Sequence, residues 1–233
     1  MKLEIQHHEK LKQLAIYSYN FNNKYLPNGY YLEGISSERN GFFACVLKKE
    51  NEIVIVFRGT ELKDKNDIKD DLKMFLSKMP LQAQSAENLY NYVKNEYPNH
   101  NIILVGHSLG GSLAQITAAI HNLEAVTFNA FGVGHILKDL KNIHTNKIVN
   151  YCNQDDPITT MNKSLHVGKC YILQTRKDNN VFVHFIESME PLNKRMSISP
   201  ENVNNWKNNN KDNLYCAGIY KVKGYIKKDG KSK

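Results

Sequence analysis

Apolar positions fall into two rhythms along this chain, and the places where the rhythm changes divide it into elements. Leu11, Leu14, Ala15 and Ser18 recur at helical spacing, which predicts an amphipathic helix ending before Pro27-Asn28-Gly29. The rhythm then becomes extended. Gly41 to Leu47 and Ile53 to Phe57 read as strands joined by the polar turn Lys48 to Glu52. The second strand, IVIVF, is apolar on both faces and belongs in the middle of a sheet. A charged stretch, Glu61 to Lys73, leads into a more apolar piece, Met74 to Leu81. Ser85 is expected to open a further helix, lined on one face by Ala86, Leu89, Tyr90, Val93 and Tyr97 and closed by Pro98.

The next twenty residues, Asn101 to Ile120, are the most informative. Asn101 to Val105 read as a short buried strand, Gly106-His107-Ser108-Leu109-Gly110 as a sharp turn, and the Leu- and Ala-rich run beyond as a helix. Strands at Ala125 to Phe128 and Ile148 to Cys152 continue the alternation, which implies a mainly parallel sheet with helices on its faces. Cys170 to Thr175 and Val181 to Ile186 read as extended pieces, the second with a helical alternative from His184 onward. Glu201 to Asn213 holds seven asparagines and reads as a surface loop, with Trp206 as its anchor.

Composition narrows the picture. At 233 residues and 41% hydrophobic, the chain suits a single α/β domain over residues 1–220 followed by a basic tail, 221–233. No run is long and apolar enough for a membrane span, and the first twenty residues carry no signal-peptide core. The expected location is the cytoplasm, or outside the cell by a route without an N-terminal signal. The net charge of +8 is uneven: Lys221 to Lys233 hold six lysines and one aspartate, +5, leaving +3 for everything else. That balance gives no nucleic-acid surface; it gives a tail suited at most to peripheral contact with an anionic membrane. Cys45, Cys152, Cys170 and Cys216 are scattered, so reduced thiols are expected rather than a disulfide framework or zinc site. No metal-ligand spacing or nucleotide-binding glycine loop is present, and no cofactor or metal is expected. Oligomeric state is not encoded in any of these features.

The chemistry centres on Ser108. Strand, Gly-x-Ser-x-Gly and helix form the layout of a nucleophile elbow, in which the serine sits on a strained turn and the helix start directs free N–H groups toward it. Gly106 and Gly110 lie where a side chain would collide as strand and helix close.

Four blocks in order carry a resemblance. Ile53 to Thr60 (IVIVFRGT), Val105 to Gly111 (VGHSLGG), Thr127 to Gly134 (TFNAFGVG) and Asn150 to Ile158 (NYCNQDDPI) resemble the blocks of the fungal-type (class 3) lipases, members of the α/β-hydrolase superfamily. The resemblance runs from about residue 53 to 160. Two departures stand out: only Glu61 to Gln84 is available for the family's lid-bearing insertion, and Asp67-Ile68 stand where the family has a tryptophan.

What the resemblance implies is an α/β-hydrolase fold and a serine carboxylic-ester hydrolase acting on lipid or phospholipid acyl esters. Ser108 is the expected nucleophile. The chain order serine, acid, histidine leaves Asp155 and Asp156 as acids, with Asp156 preferred because it precedes Pro157 as in the family block. His184 and His166 remain as bases; His184, beside an apolar strand end, is preferred. His107, His135 and His144 fit no role in that order. The oxyanion hole is expected to combine the Leu109 backbone N–H with Thr60. Arg58 is read as a structural ion-pair partner of Asp70 or Asp71. Leu72 to Leu81 has the amphipathic character of either a core helix or a short lid, the core helix being preferred. Two readings compete: a short-chain ester or thioester hydrolase, and a hydrolase fold used for binding without catalysis.

Overall fold

The computed structural model describes residues 2–20, 26, 29–59, 68–153, 156, 158–159, 166–173, 184–194 and 196–198, with only the backbone described at 2, 68–78, 194 and 196–198. The loop expected at Glu201 to Asn213 and the tail at 221–233 therefore lie outside the described residues, as does the first half of the extended piece expected at Val181 to Ile186; its second half turns at His184 and enters a 3-10 turn at Ile186.

Eight described strands form one sheet: β1 (Tyr31–Ser37), β2 (Phe43–Lys49), β3 (Glu52–Phe57), β4 (Asn101–His107), β5 (Glu124–Phe128), β6 (Ile148–Asn153), β7 (Lys169–Leu173) and β8 (Met196–Ile198). Their spatial order is their chain order, so each strand pairs with its predecessor. The pairs from β3 to β7 are parallel, and the antiparallel pairs β1–β2, β2–β3 and β7–β8 occupy the edges. The helices are α1 (Lys2–Tyr17), α2 (Ile68–Glu96), α3 (Ser108–His121) and the single turn α4 (Gly134–Leu137), with 3-10 turns at Ile186–Ser188 and Leu192–Lys194.

The period-two pattern of β3 explains how the layers form. Ile53, Ile55 and Phe57 enter one apolar cluster with Met79, Ala83 and Ala86 of α2 and Leu113, Ala114 and Ile116 of α3. Val54 and Val56 enter a second cluster on the opposite face, with Leu11, Leu14 and Ala15 of α1. Because parallel strands are added in one direction only, right-handed crossovers put α2, α3 and α4 on the same face. The other face is covered by α1 together with Ile186, Met189 and Leu192 from the C-terminal part of the domain. Lys12, 7% exposed, bonds Glu9 at 2.9 Å, and Glu9 accepts the Leu192 N–H at 2.6 Å, pinning those two covering pieces together.

Three elements differ from expectation. α2 does not open at Ser85 but starts at Ile68 and runs through Pro80 to Glu96. Ser85 sits in mid-helix with its hydroxyl 2.7 Å from the Glu38 carboxylate, so it ties α2 to the β1–β2 turn instead of capping. Pro80 forfeits one helical bond, but Met79, Ala83, Ala86 and Val93 are packed on both sides of it and hold the helix through the break. β1 carries no strand signal of its own, because YLEGISS has little apolar alternation. It is an edge strand ordered by β2, with an irregularity between Leu32 and Gly34. The same is true of β8: a three-residue edge strand is defined by its β7 partner.

Cys45, Cys152 and Cys170 are buried and in no disulfide, while Cys216 lies outside the described residues. Arg58 lies over the Phe43 ring, its guanidinium carbon 3.8 Å from the centroid. Among the described residues no helix is long and apolar enough to cross a membrane.

Met79 is fully buried and Leu81 is 62% exposed, which assigns this end of the Leu72 to Leu81 segment to a helix packed on the core. Met79→Asp should therefore cost about 4 kcal/mol in denaturant unfolding, whereas Leu81→Asp should stay within about 0.5 kcal/mol of the native chain. Equal costs for the two variants would contradict this packing.

Candidate active site

β4 runs into α3 without an intervening loop, and Ser108 is the hinge between them. Its φ of 56° places it in the left-handed region, and the turn is that tight because two glycines permit it. A Cβ on Gly110 would stand 2.1 Å from the Phe57 carbonyl oxygen, and one on Gly106 would stand 2.3 Å from the Gly110 backbone. Strand β3, strand β4 and helix α3 thus meet backbone to backbone under the serine. Ser108 is the first residue of α3, so the Leu109 N–H belongs to the first turn, where no helical acceptor is available.

The two remaining groups come from beyond the C-terminal ends of two parallel strands. His184 lies beyond β7, and its Nε2 is 2.7 Å from Ser108 Oγ. Asp156 lies just beyond β6, with Oδ1 2.9 Å from His184 Nδ1. The geometry fixes the tautomer: His184 Nδ1–H donates to the carboxylate, and Nε2 accepts from the serine hydroxyl. The carboxylate is itself held. The Ile158 N–H donates to Oδ1 at 3.2 Å, and the Thr159 N–H and hydroxyl donate to Oδ2 at 3.1 and 2.6 Å. Ser108, Asp156 and His184 are all buried, which strengthens each of these bonds relative to water.

The structure therefore brings together Ser108, Asp156 and His184, the last two being the preferred acid and base of the sequence reading. His166, the second-choice base, is also buried, but its Nε2 faces the Thr159 carbonyl at 3.4 Å, behind the acid. Asp155 and Thr60 lie outside the described residues. No group of three His, Cys, Asp or Glu side chains among the described residues is arranged to hold a metal ion.

Two residues that the order of serine, acid and histidine leaves without a role stand beside His184. His107 Nε2 is 2.8 Å from the His184 carbonyl oxygen, and the two imidazoles lie 4.8 Å apart at 36°. Asn129, in a left-handed conformation at φ 44°, donates its side-chain N–H to the same carbonyl at 3.0 Å and accepts the Asn153 N–H at 2.7 Å. The only sequence signal for His107 is its place next to the nucleophile; Asn129 carried none.

Burial, reinforced by the charge of a protonated His184, pushes the His107 pKa down to about 3. The sign of the linkage follows. Between the ordinary histidine value and that depressed one, the unfolded chain binds a proton at His107 that the folded chain does not, so stability falls as pH falls. His107→Gln should remove this part of the acid sensitivity. Urea unfolding at neutral pH and near pH 4.5 should show a smaller loss of stability for the variant than for the native chain, and an equal loss would refute the linkage.

The chain has relatives on both sequence and structural grounds. A protein of Eremothecium gossypii assigned as a lipase, ATG15, is 45% identical over 49 residues, a match covering 21% of this chain and 9% of that relative's length. The Rhizomucor miehei lipase propeptide complex superposes with a TM-score of 0.57 at 18% identity, over 82% of this chain and 78% of the other. A triacylglycerol lipase from Penicillium expansum gives 0.54 at 12% identity, over 85% of each chain. These neighbours share the α/β-hydrolase fold, in agreement with the sequence resemblance to fungal-type lipases. Residues 22–185, well over half of the chain, match the family model of the Tle-like phospholipase domain, and the chain belongs to that phospholipase-like family.

Proposed function

We propose that this protein is a serine carboxylic-ester hydrolase acting on the acyl esters of lipids or phospholipids, with Ser108, His184 and Asp156 as its catalytic residues. The observation that carries the reading is the unbroken hydrogen-bonded line from Ser108 Oγ through His184 to Asp156, set on a strained elbow. In the proposed reaction Ser108 Oγ attacks the ester carbonyl carbon as its proton passes to His184 Nε2. The oxyanion that forms faces the Leu109 N–H at the start of α3, with Thr60 as the second donor. The carbon–oxygen bond to the alcohol then breaks, and His184 returns the proton to the departing oxygen. Water repeats the sequence on the acyl-enzyme, releasing the carboxylic acid and restoring Ser108. Asp156 holds the imidazole in the required tautomer and balances its charge while it is protonated.

The lipid preference is supported by the family and by the surroundings of the serine. Leu109 and Ile158, neighbours in sequence of Ser108 and Asp156, belong to the larger apolar cluster, and Phe185 beside His184 is a partly exposed aromatic. The basic tail, +5 over its thirteen residues, would add attraction to an anionic bilayer.

Ser108→Ala should keep the fold and lower ester turnover on the order of 10³-fold or more. A fluorophosphonate probe should label the native chain at Ser108 and leave the variant unlabelled; native-like hydrolysis by Ser108→Ala would end the proposal. Phospholipid vesicles and dissolved short-chain esters, assayed side by side, test the substrate class: turnover confined to the short esters would remove the lipid preference. Deleting residues 221–233 should weaken sedimentation with anionic vesicles at low salt and spare hydrolysis of a soluble ester. Unchanged vesicle binding would dismiss the tail's contribution.

A further inference from the structure

Tyr19 lies just past the C-terminal end of α1, outside the residues that match the family model, yet its hydroxyl reaches the middle of the site. Tyr19 Oη is 2.9 Å from His107 Nδ1 and 3.0 Å from the Gly59 backbone nitrogen. The direction of every bond in this chain is determined. The His184 carbonyl can only accept, so His107 Nε2 carries the proton and donates to it at 2.8 Å. In a neutral imidazole Nδ1 is then an acceptor, so the Tyr19 hydroxyl donates to it. The tyrosine oxygen, having given its hydrogen, accepts the Gly59 N–H.

Gly59 is confined from the same side. A Cβ there would lie 2.7 Å from the Tyr19 hydroxyl, 2.8 Å from the His107 carbonyl oxygen and 3.0 Å from Ser108 Cβ. Tyr19 just past α1, Gly59 just past β3, His107 before Ser108 and the backbone of His184 are thus linked through one phenol and one imidazole.

We infer that His107 and Tyr19 are positioning residues: Tyr19 fixes the tautomer of His107, and His107 fixes the main chain of His184 opposite Ser108. The inference rests on the proposed role of His184 as the general base. It adds a function for the turn just past α1, which orders the reacting histidine while the helix covers the sheet. His107, kept neutral, also puts an uncharged ring beside His184, so no like charge opposes the imidazolium that forms during turnover.

The test uses the full chain and a dissolved short-chain ester. Tyr19→Phe keeps the ring that packs edge-on against His107 and removes only the hydroxyl. It should lower kcat by about tenfold, leave KM unchanged and shift the melting temperature little. The low-field proton resonance of His184 Nδ1–H should move or broaden in the same variant. His107→Leu should lose more, and His107→Gln, whose amide N–H can reach the His184 carbonyl, should recover most of what leucine loses. In the His107→Gln background the Tyr19→Phe change should cost little, because the tautomer it sets no longer exists. A folded Tyr19→Phe with native kcat and an unmoved resonance would overturn the inference, as would a fall in melting temperature alone. Either result leaves the serine hydrolase reading intact; that reading is struck instead by failure of the native chain to react with fluorophosphonate or by native-like hydrolysis in Ser108→Ala.

Discussion

A serine can stand clear of a sheet only where strand and helix close on each other with nothing between them, and this fold is arranged around that contact. Gly110 lies against the carbonyl of Phe57, so α3 cannot be seated unless the end of β3 is already in register beside β4. The same contact sets the direction in which the chain leaves β3 toward Gly59. Phe57, fully buried, locks that end from the side-chain direction. Position of Ser108, orientation of the helix start and approach of Gly59 are therefore one geometric fact. The left-handed backbone at Ser108 is the strain that remains once they are satisfied, and the packing of α3 between sheet and α2 sustains it.

The strand order imposes a second constraint. A sheet extended in one direction by right-handed crossovers receives all its crossover helices on one face and leaves the other apolar face uncovered. That face needs something from outside the parallel alternation. Here α1 supplies part of the cover and the segment after His184 supplies the rest, the two joined through Glu9 and Leu192. Covering the sheet and bringing the histidine to the serine are consequently done by adjacent stretches of the same polypeptide. That proximity lets Tyr19, at the end of the covering helix, reach the residue that grips the histidine backbone.

Much of this was legible in the sequence, for reasons that differ from element to element. The central strands declare themselves because both their faces are buried; IVIVF has no polar position to spend on solvent. The elbow declares itself because its glycines are required by close backbone approach. Asp156 and His184 could be ranked by chain order and by the neighbouring proline, and their meeting with Ser108 follows from loops at the same ends of neighbouring parallel strands. The edge strands β1 and β8 were not legible, since their order comes from a partner rather than from their own pattern. Ser85 misled because a serine ahead of an apolar periodic run resembles a cap, whereas its actual partner, Glu38, is far away in the chain. Tyr19 and Asn129 were invisible for the same reason: each acts through a contact made across the fold.

The neighbour-to-neighbour strand order also bears on how the molecule comes into being. Each strand can pair with one already present, so the sheet can grow along the direction of synthesis without waiting for a distant segment to be threaded between existing strands. The elbow is complete once β3, β4 and α3 have emerged, but Asp156 follows β6 and His184 follows β7. A nascent chain thus carries the serine for the time needed to translate the 75 residues between Ser108 and His184 before a base can reach it. On the proposed mechanism its hydroxyl has no proton acceptor of this site beside it during that interval, and the growing polypeptide would stay chemically quiet toward esters until most of its sheet exists.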